Sequence, residues 1–422
     1  MDWKIVKVGG LVVEMAYTDR QMKDATQIAY MECFPEAEKR LIESGKEKPF
    51  TVRELIEASV DMKDVKLKAI EFGQVPVAMS FQELMKYSNL SEKDIERISL
   101  LQKESLDWKV VDIHDKNDVN GFYACTLETS DSDAIVAFRG SESYGNNVID
   151  DWLLADFGLL NSTKTNQQAE TERYADELIK KGIIDKYDFL AATGHSLGGN
   201  LATHLNVISD EEGREALRGK LQQVVNMDGP GMSHDYLEKY ANQIARTSTK
   251  VTHYKWSAVG NLLFDIPGEN IEFLESDESV HGDKNELQRA FWRHDTKTMC
   301  FDEDGKAERG KQDALSKVLG PVSRVIDKRA REALFTALSG KVFSQIVSIA
   351  GVKDLISTIG IGKVAEATAD KKSACLDVLG ATFNDNEINR SSVNVVTNFF
   401  NGIKDKLFNF KDEKNSTEMA RA

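Results

Sequence analysis

Phe189-Leu190-Ala191-Ala192-Thr193-Gly194-His195-Ser196-Leu197-Gly198-Gly199-Asn200-Leu201-Ala202-Thr203-His204-Leu205 runs from an apolar stretch of strand length, through a sharp turn, into a stretch of helical character. Glycines stand two residues before and two after Ser196, so the chain can crowd at the turn and hold the serine in a strained conformation with its hydroxyl presented. The following helix would aim its positive N-terminal end at the same spot. Strand, turn and helix with a serine at the tip form the layout of a nucleophile elbow, whereas the pentapeptide alone would equally suit a tight structural turn.

Outward from this stretch the same alternation continues. Ala134-Ile135-Val136-Ala137-Phe138-Arg139 is a short apolar run suited to a strand buried on both faces. Further runs at 189–193, 224–227 and 251–256 alternate with helical patterns at 169–181, 197–208 and 235–246, which predicts a mostly parallel α/β sheet covered on both sides. Trp108–Ile113 and Gly121–Leu127 flank an Asp/Asn-rich turn and read as a hairpin. Upstream, residues 19–102 show apolar spacings of three and four, and Ser91-Glu92-Lys93-Asp94 starts a helix with Ser91 as N-cap. Strand signals stop after Gly310. The expected organisation is a catalytic domain over 1–310 with a helical insertion at about 35–105, an all-helical domain over 311–410, and a disordered tail at 411–422.

A chain of 422 residues with 41% apolar content can bury one large core or two smaller ones. Its formal charge of −15 is unevenly distributed: residues 311–422 carry 17 Lys and Arg against 13 Asp and Glu, leaving the first 310 strongly acidic. An acidic catalytic half argues against nucleic acid as a partner. Cys33, Cys125, Cys300 and Cys375 are scattered without zinc spacing or a C-x-x-C pair, so no metal or other cofactor is expected and the thiols read as reduced. The N-terminus lacks a Sec signal, and Phe343–Ile361 is broken by Gly351, Lys353, Asp354 and Gly360, which argues against a transmembrane span. These features fit a cytoplasmic protein or one exported by a leaderless route.

A serine hydroxyl needs a base and usually an orienting carboxylate, in the order Ser, Asp or Glu, His for an elbow enzyme. His204 would lie two turns along the elbow helix and point away, and His234 and His253 read as surface or core. His294, in Arg293-His294-Asp295, is the expected base, with His281 the alternative. Asp228, before Gly229-Pro230-Gly231 at a strand end, is the expected acid. Asp265, placed after the next strand in Leu263-Phe264-Asp265, is the alternative. Either aspartate could instead cap its own turn. The oxyanion donors are expected to be the amides of Leu197 and Ser141, and Asp150–Asp156 is read as a brace for the Ser141 loop.

Ala137-Phe138-Arg139-Gly140-Ser141, the Asp151-Trp152 to Asp156 spacing and Gly194–Asn200 together resemble the class 3 lipases. The Mbeg-like members are closer still, at Gly121–Ala124, Asp228–Gly231, Ser257–Gly260 and His294-Asp295. This resemblance covers roughly residues 15–300. It implies an α/β-hydrolase fold and hydrolysis of carboxylic esters, with a lipid or membrane-surface substrate. The chain departs from the lipase pattern at Trp256-Ser257-Ala258-Val259, where class 3 lipases carry the catalytic aspartate. Asp228 would then serve from the preceding strand end, or the site would run with a dyad. A lipase domain followed by a helical domain also resembles lipase effectors exported by the type VII route, which implies a protein partner or chaperone for residues 311–410. Two rival functions stay open: an inactive hydrolase fold that binds a partner through its helical domain, and a serine hydrolase for a non-lipid ester, thioester or peptide.

Overall fold

The computed structural model describes residues 4–8, 11–15, 17–60, 90–140, 164–281, 293–312 and 316. Ser141, the 150–156 segment and nearly all of the expected helical domain lie outside the described residues.

Eight strands form one sheet in strictly sequential order: β3 (Phe50–Thr51), β4 (Lys109–Lys116), β5 (Phe122–Glu128), β6 (Asp133–Phe138), β7 (Phe189–His195), β8 (Leu221–Met227), β9 (Val251–Lys255) and β10 (Asn270–Phe273). Pairing is antiparallel from β3 to β6 and parallel from β6 to β10. A separate hairpin joins β1 (Lys4–Val8) to β2 (Leu11–Met15).

The period-two geometry of a strand sends successive side chains to opposite faces, and here both faces are apolar. Tyr123, Cys125, Leu127, Ile135, Ala137, Ala191, Val225 and Met227 face one layer, with α1 (Asp19–Ala29), α2 (Phe34–Glu43) and α3 (Val52–Ser59). Phe122, Ala124, Ala134, Val136, Phe138, Leu190, Ala192 and Val224 face the other, with α5 (Asn166–Lys180) and α6 (Leu197–Ile208). The helix between these groups, α4 (Glu92–Leu100), starts on Ser91, whose hydroxyl accepts from the Asp94 amide. A mostly parallel sheet with helices on both faces and a serine at a strand–helix turn is the α/β-hydrolase fold. Among the described residues no helix is long and apolar enough to cross a membrane.

Three departures from the sequence reading matter. The stretch expected to be a helical insertion contributes strand β3 to the sheet, because Thr51 caps α3 in an extended conformation (φ −71°, ψ 155°) and the extended pair lies along β4. The sheet does not end with the run at 251–256: beyond Leu263, which takes φ +65°, and an isolated bridge between Phe264 and Met232, β10 adds a parallel strand beside β9. At the N-terminus β1 pairs antiparallel with β2, two strands that the sequence reading left unassigned.

Candidate active site

Ser196 separates β7 from α6 and takes φ 59°, ψ −136°, a conformation that a residue with a Cβ adopts only under strain. The strain is held by close backbone approach. A Cβ on Gly198 would stand 2.4 Å from the Phe138 carbonyl oxygen, and one on Gly194 would stand 2.3 Å from the Gly198 carbonyl, so both positions exclude a side chain. The Ser196 amide donates to the Met227 carbonyl at 3.0 Å, tying the elbow to the end of β8. Leu197 is the first residue of α6, so its N–H has no carbonyl one turn back to donate to.

Asp228 directly follows β8, fully buried, with φ 51°. Its turn is pinned from two sides. Asn200 of α6 donates to the carbonyls of Pro230 (3.2 Å) and Gly231 (2.9 Å), and the His253 ring meets the Gly229 carbonyl at 2.9 Å. One carboxylate oxygen, Oδ1, accepts from the amides of Trp256 (3.0 Å) and Ser257 (3.1 Å). The other, Oδ2, accepts from His294 Nδ1 at 2.7 Å. Burial on its own would raise the Asp228 pKa, but the hydrogen bond and charge of His294, with the donors at Ser257 and Trp256, outweigh it and hold the carboxyl below its usual range.

His294 is brought there by its peptide neighbours. The Arg293 carbonyl accepts from the Trp256 indole N–H and from the Thr298 hydroxyl, both at 2.6 Å, and the His294 carbonyl accepts from His195 Nε2 at 2.7 Å. The His195 and His294 rings lie with centroids 4.3 Å apart, which sets His294 beside the elbow. Ser257 Oγ lies 3.3 Å from His294 Nδ1, so a hydroxyl touches the same nitrogen that the Asp228 carboxylate holds.

The alternative acid, Asp265, meets Lys255 Nζ at 2.5 Å and lies 3.8 Å from His253. His281 ends a short 3-10 turn, and its side chain lies outside the described residues. His204 is buried against the Tyr236 hydroxyl at 2.7 Å, and His234 is exposed. Two groups of side chains have metal-like spacing, His234 with Asp235 and Glu238, and His253 with Asp265 and Glu269. In the second, more buried group the Lys255 ammonium already neutralises Asp265, so a cation is in place without a metal.

Trp256 and Ser257, noted in sequence only as a departure from the lipase pattern, adjoin the site together with Tyr30 and His195, to which the sequence reading gave no role. Of these two, His195 carried a local signal, its place inside the elbow motif. Tyr30 meets it across 165 positions of chain, a contact with no sequence signature.

Residues 104–336, more than half of the chain, match the Mbeg1-like family model. The chain belongs to the Mbeg1-like family. Solved structures similar to it include a triacylglycerol lipase from Penicillium expansum, at 17% identity over 40% of this chain and 70% of that one, TM-score 0.29. A mutant form of MDLA from Penicillium cyclopium is 13% identical over 74% and 93%, TM-score 0.35, and the Rhizomucor miehei lipase in its propeptide complex is 13% identical over 65% and 77%, TM-score 0.28. Among curated proteins, none matches the chain.

Proposed function

We propose that the protein hydrolyses carboxylic esters of lipids through an acyl-enzyme on Ser196. The observation that carries this reading is the 2.7 Å contact between His294 Nδ1 and the buried Asp228 carboxylate, beside a serine strained at the tip of an elbow. With Nδ1–H committed to Asp228, the Nε2 lone pair of His294 is the base. It takes the Ser196 proton as Oγ attacks the ester carbonyl, then returns it to the departing alcohol. Asp228 orients the ring and stabilises the imidazolium. The amides of Leu197 and Ser141 hold the oxyanion, each donor worth on the order of 10²- to 10³-fold in rate. Water then repeats the sequence on the acyl-enzyme.

For the substrate, a phosphate-bearing acyl lipid is favoured over a neutral glyceride. A cavity of about 560 Å³ lies where the chain leaves the C-terminal ends of β9 and β10, and Arg293, Arg309 and Lys311 line it with Trp256. Glu275 lines the cavity too and Glu272 pairs with Arg309, which leaves a basic excess of one charge there within an acidic molecule. Arg293 and Trp256 immediately precede His294 and Ser257, so the cavity adjoins the candidate site, and its basic lining supports a phospholipase A reading.

The test treats the full chain and Ser196→Ala with a fluorophosphonate probe, then with vesicles of phospholipid or triacylglycerol. Labelling that Ser196→Ala abolishes, with fatty acid released faster from phospholipid, is expected. An unlabelled wild type that releases no fatty acid would leave an inactive hydrolase fold as the answer, and labelling without lipid turnover would point to a non-lipid ester, thioester or peptide.

A further inference from the structure

Around the candidate site one set of hydrogen bonds has a determined direction. His195 Nε2 meets the His294 carbonyl at 2.7 Å, and a carbonyl only accepts, so Nε2 carries the ring proton. In the neutral ring Nδ1 is then a lone pair, and it lies 3.2 Å from the Tyr30 hydroxyl, a shorter contact than the one that hydroxyl makes with the His195 carbonyl at 3.4 Å, so Nδ1 is its nearer acceptor. Having used its one proton, that hydroxyl accepts from the Gly140 amide at 3.1 Å.

The series spans the nucleophile. Gly140 follows β6 and crowds the elbow: a Cβ placed on it would stand 2.9 Å from Ser196 Cβ. His195 is the residue before Ser196, and the His294 carbonyl belongs to the loop that carries the base. Trp256 reinforces the far end, because its ring stacks on His195 with centroids 6.0 Å apart and 16° between planes while its indole N–H holds the neighbouring Arg293 carbonyl. Tyr30 is itself fixed by Arg97 of α4, whose guanidinium lies 5.0 Å from the ring centre and donates to the Tyr30 carbonyl at 2.6 Å.

We propose that His195 and Tyr30 are positioning residues, which set the His294 loop and the start of the loop after β6 at fixed places on either side of Ser196. This inference rests on the reading of Ser196 and His294 as nucleophile and base. The neutral state of His195 belongs to the same device. Burial and the nearby His294 hold its pKa down to about 3, so His294 alone takes on charge when the serine proton moves. A charged ring 4.3 Å away would oppose that step.

The experiment compares the full-length wild type with Tyr30→Phe, His195→Leu and His195→Gln, using a water-soluble aryl ester and nitrogen-15 NMR of the histidine rings. His195→Leu removes the donor to the His294 carbonyl and should lower kcat on the order of 10- to 100-fold, the loss typical of a misplaced catalytic group. KM should stay within about threefold, since ground-state binding is untouched. His195→Gln keeps an N–H within reach of that carbonyl and should recover most of the loss. In the wild type His195 should show a single Nε2–H tautomer, and Tyr30→Phe, which removes the donor to Nδ1 but leaves the His294 carbonyl, should keep that tautomer and shift the Nδ1 resonance. Wild-type kcat in both His195→Leu and Tyr30→Phe, or a His195 that is Nδ1–H in the wild type, would overturn the proposal. Should His195→Leu not fold, Tyr30→Phe, which loses one oxygen atom, and the tautomer measurement decide it. If instead the wild type fails to turn over any ester, the catalytic reading falls while the NMR result still decides whether the relay exists.

Discussion

At the scale of single residues, the site depends on which groups are charged. His195 is neutral in the folded chain down to a pKa of about 3, against the usual 6.5, and the groups facing it are Tyr30, Trp256, His294, Asp228 and Asp295. Between those two values the unfolded chain binds a proton that the native one refuses, so stability rises with pH in that window. The contribution is complete above about pH 6.5 and is lost progressively as the pH falls toward 3. Asp228 acts lower: its depressed pKa stabilises the fold above its usual value of 3.8, and that gain disappears as the pH falls through the native value. Urea unfolding followed from pH 7.5 to 4.5 should therefore show wild-type stability falling on acidification, and His195→Gln should remove up to one proton from the slope. An unchanged slope would mean that His195 is already protonated when folded.

At the scale of elements, the elbow is an exchange of strain for geometry, and its two glycine-like positions respond oppositely to substitution. Ser196 stands at φ 59° with a Cβ, a strain of about 1 to 3 kcal/mol. Ser196→Gly relieves it, and the entropy that glycine adds to the unfolded chain returns only about 0.5 to 1 kcal/mol of that gain. This variant should be inactive and more heat-stable. Gly198→Ala forces a methyl to 2.4 Å from the Phe138 carbonyl and 3.0 Å from the Gly140 amide nitrogen, all backbone, and should lose about 3 kcal/mol or more. Thermal melts of the two variants should shift in opposite directions; a shared direction would refute the strain assignment. The elbow was legible in sequence because its requirements lie within five residues. Strand β10 was not, because Asn270-Ile271-Glu272-Phe273 is an edge strand with two apolar residues and little burial to impose a pattern.

At the scale of the molecule, the Ser196, Asp228 and His294 neighbourhood was legible because each residue follows a strand or turn signal, while the contacts that close the fold join distant parts of the chain. Asp19 at the start of α1 accepts from the Tyr254 hydroxyl at 2.6 Å and from the Ala307 amide at 2.9 Å, the second across 288 positions. The Arg20 amide donates to the Gly305 carbonyl, Gln27 to the Thr296 hydroxyl, and Tyr17 exchanges two bonds with Gln223. Met22, Ala25, Ile28 and Ala29 are fully buried against the sheet. The family match begins only at residue 104, after α1 to α4 and β3, yet those elements form one of the two apolar layers and carry Tyr30. Met22 and Ile28 alone represent about 1.5 to 3 kcal/mol each of buried apolar surface, against a whole-domain stability of about 5 to 15 kcal/mol. A chain that starts at residue 104 keeps all three candidate catalytic residues but leaves one face of the sheet open. Circular dichroism should show no cooperative thermal transition for it and no reaction with a fluorophosphonate, whereas the full chain melts cooperatively. A sharp melt in the shortened chain would show that the family segment folds alone and that the N-terminal layer is an addition rather than half of the core.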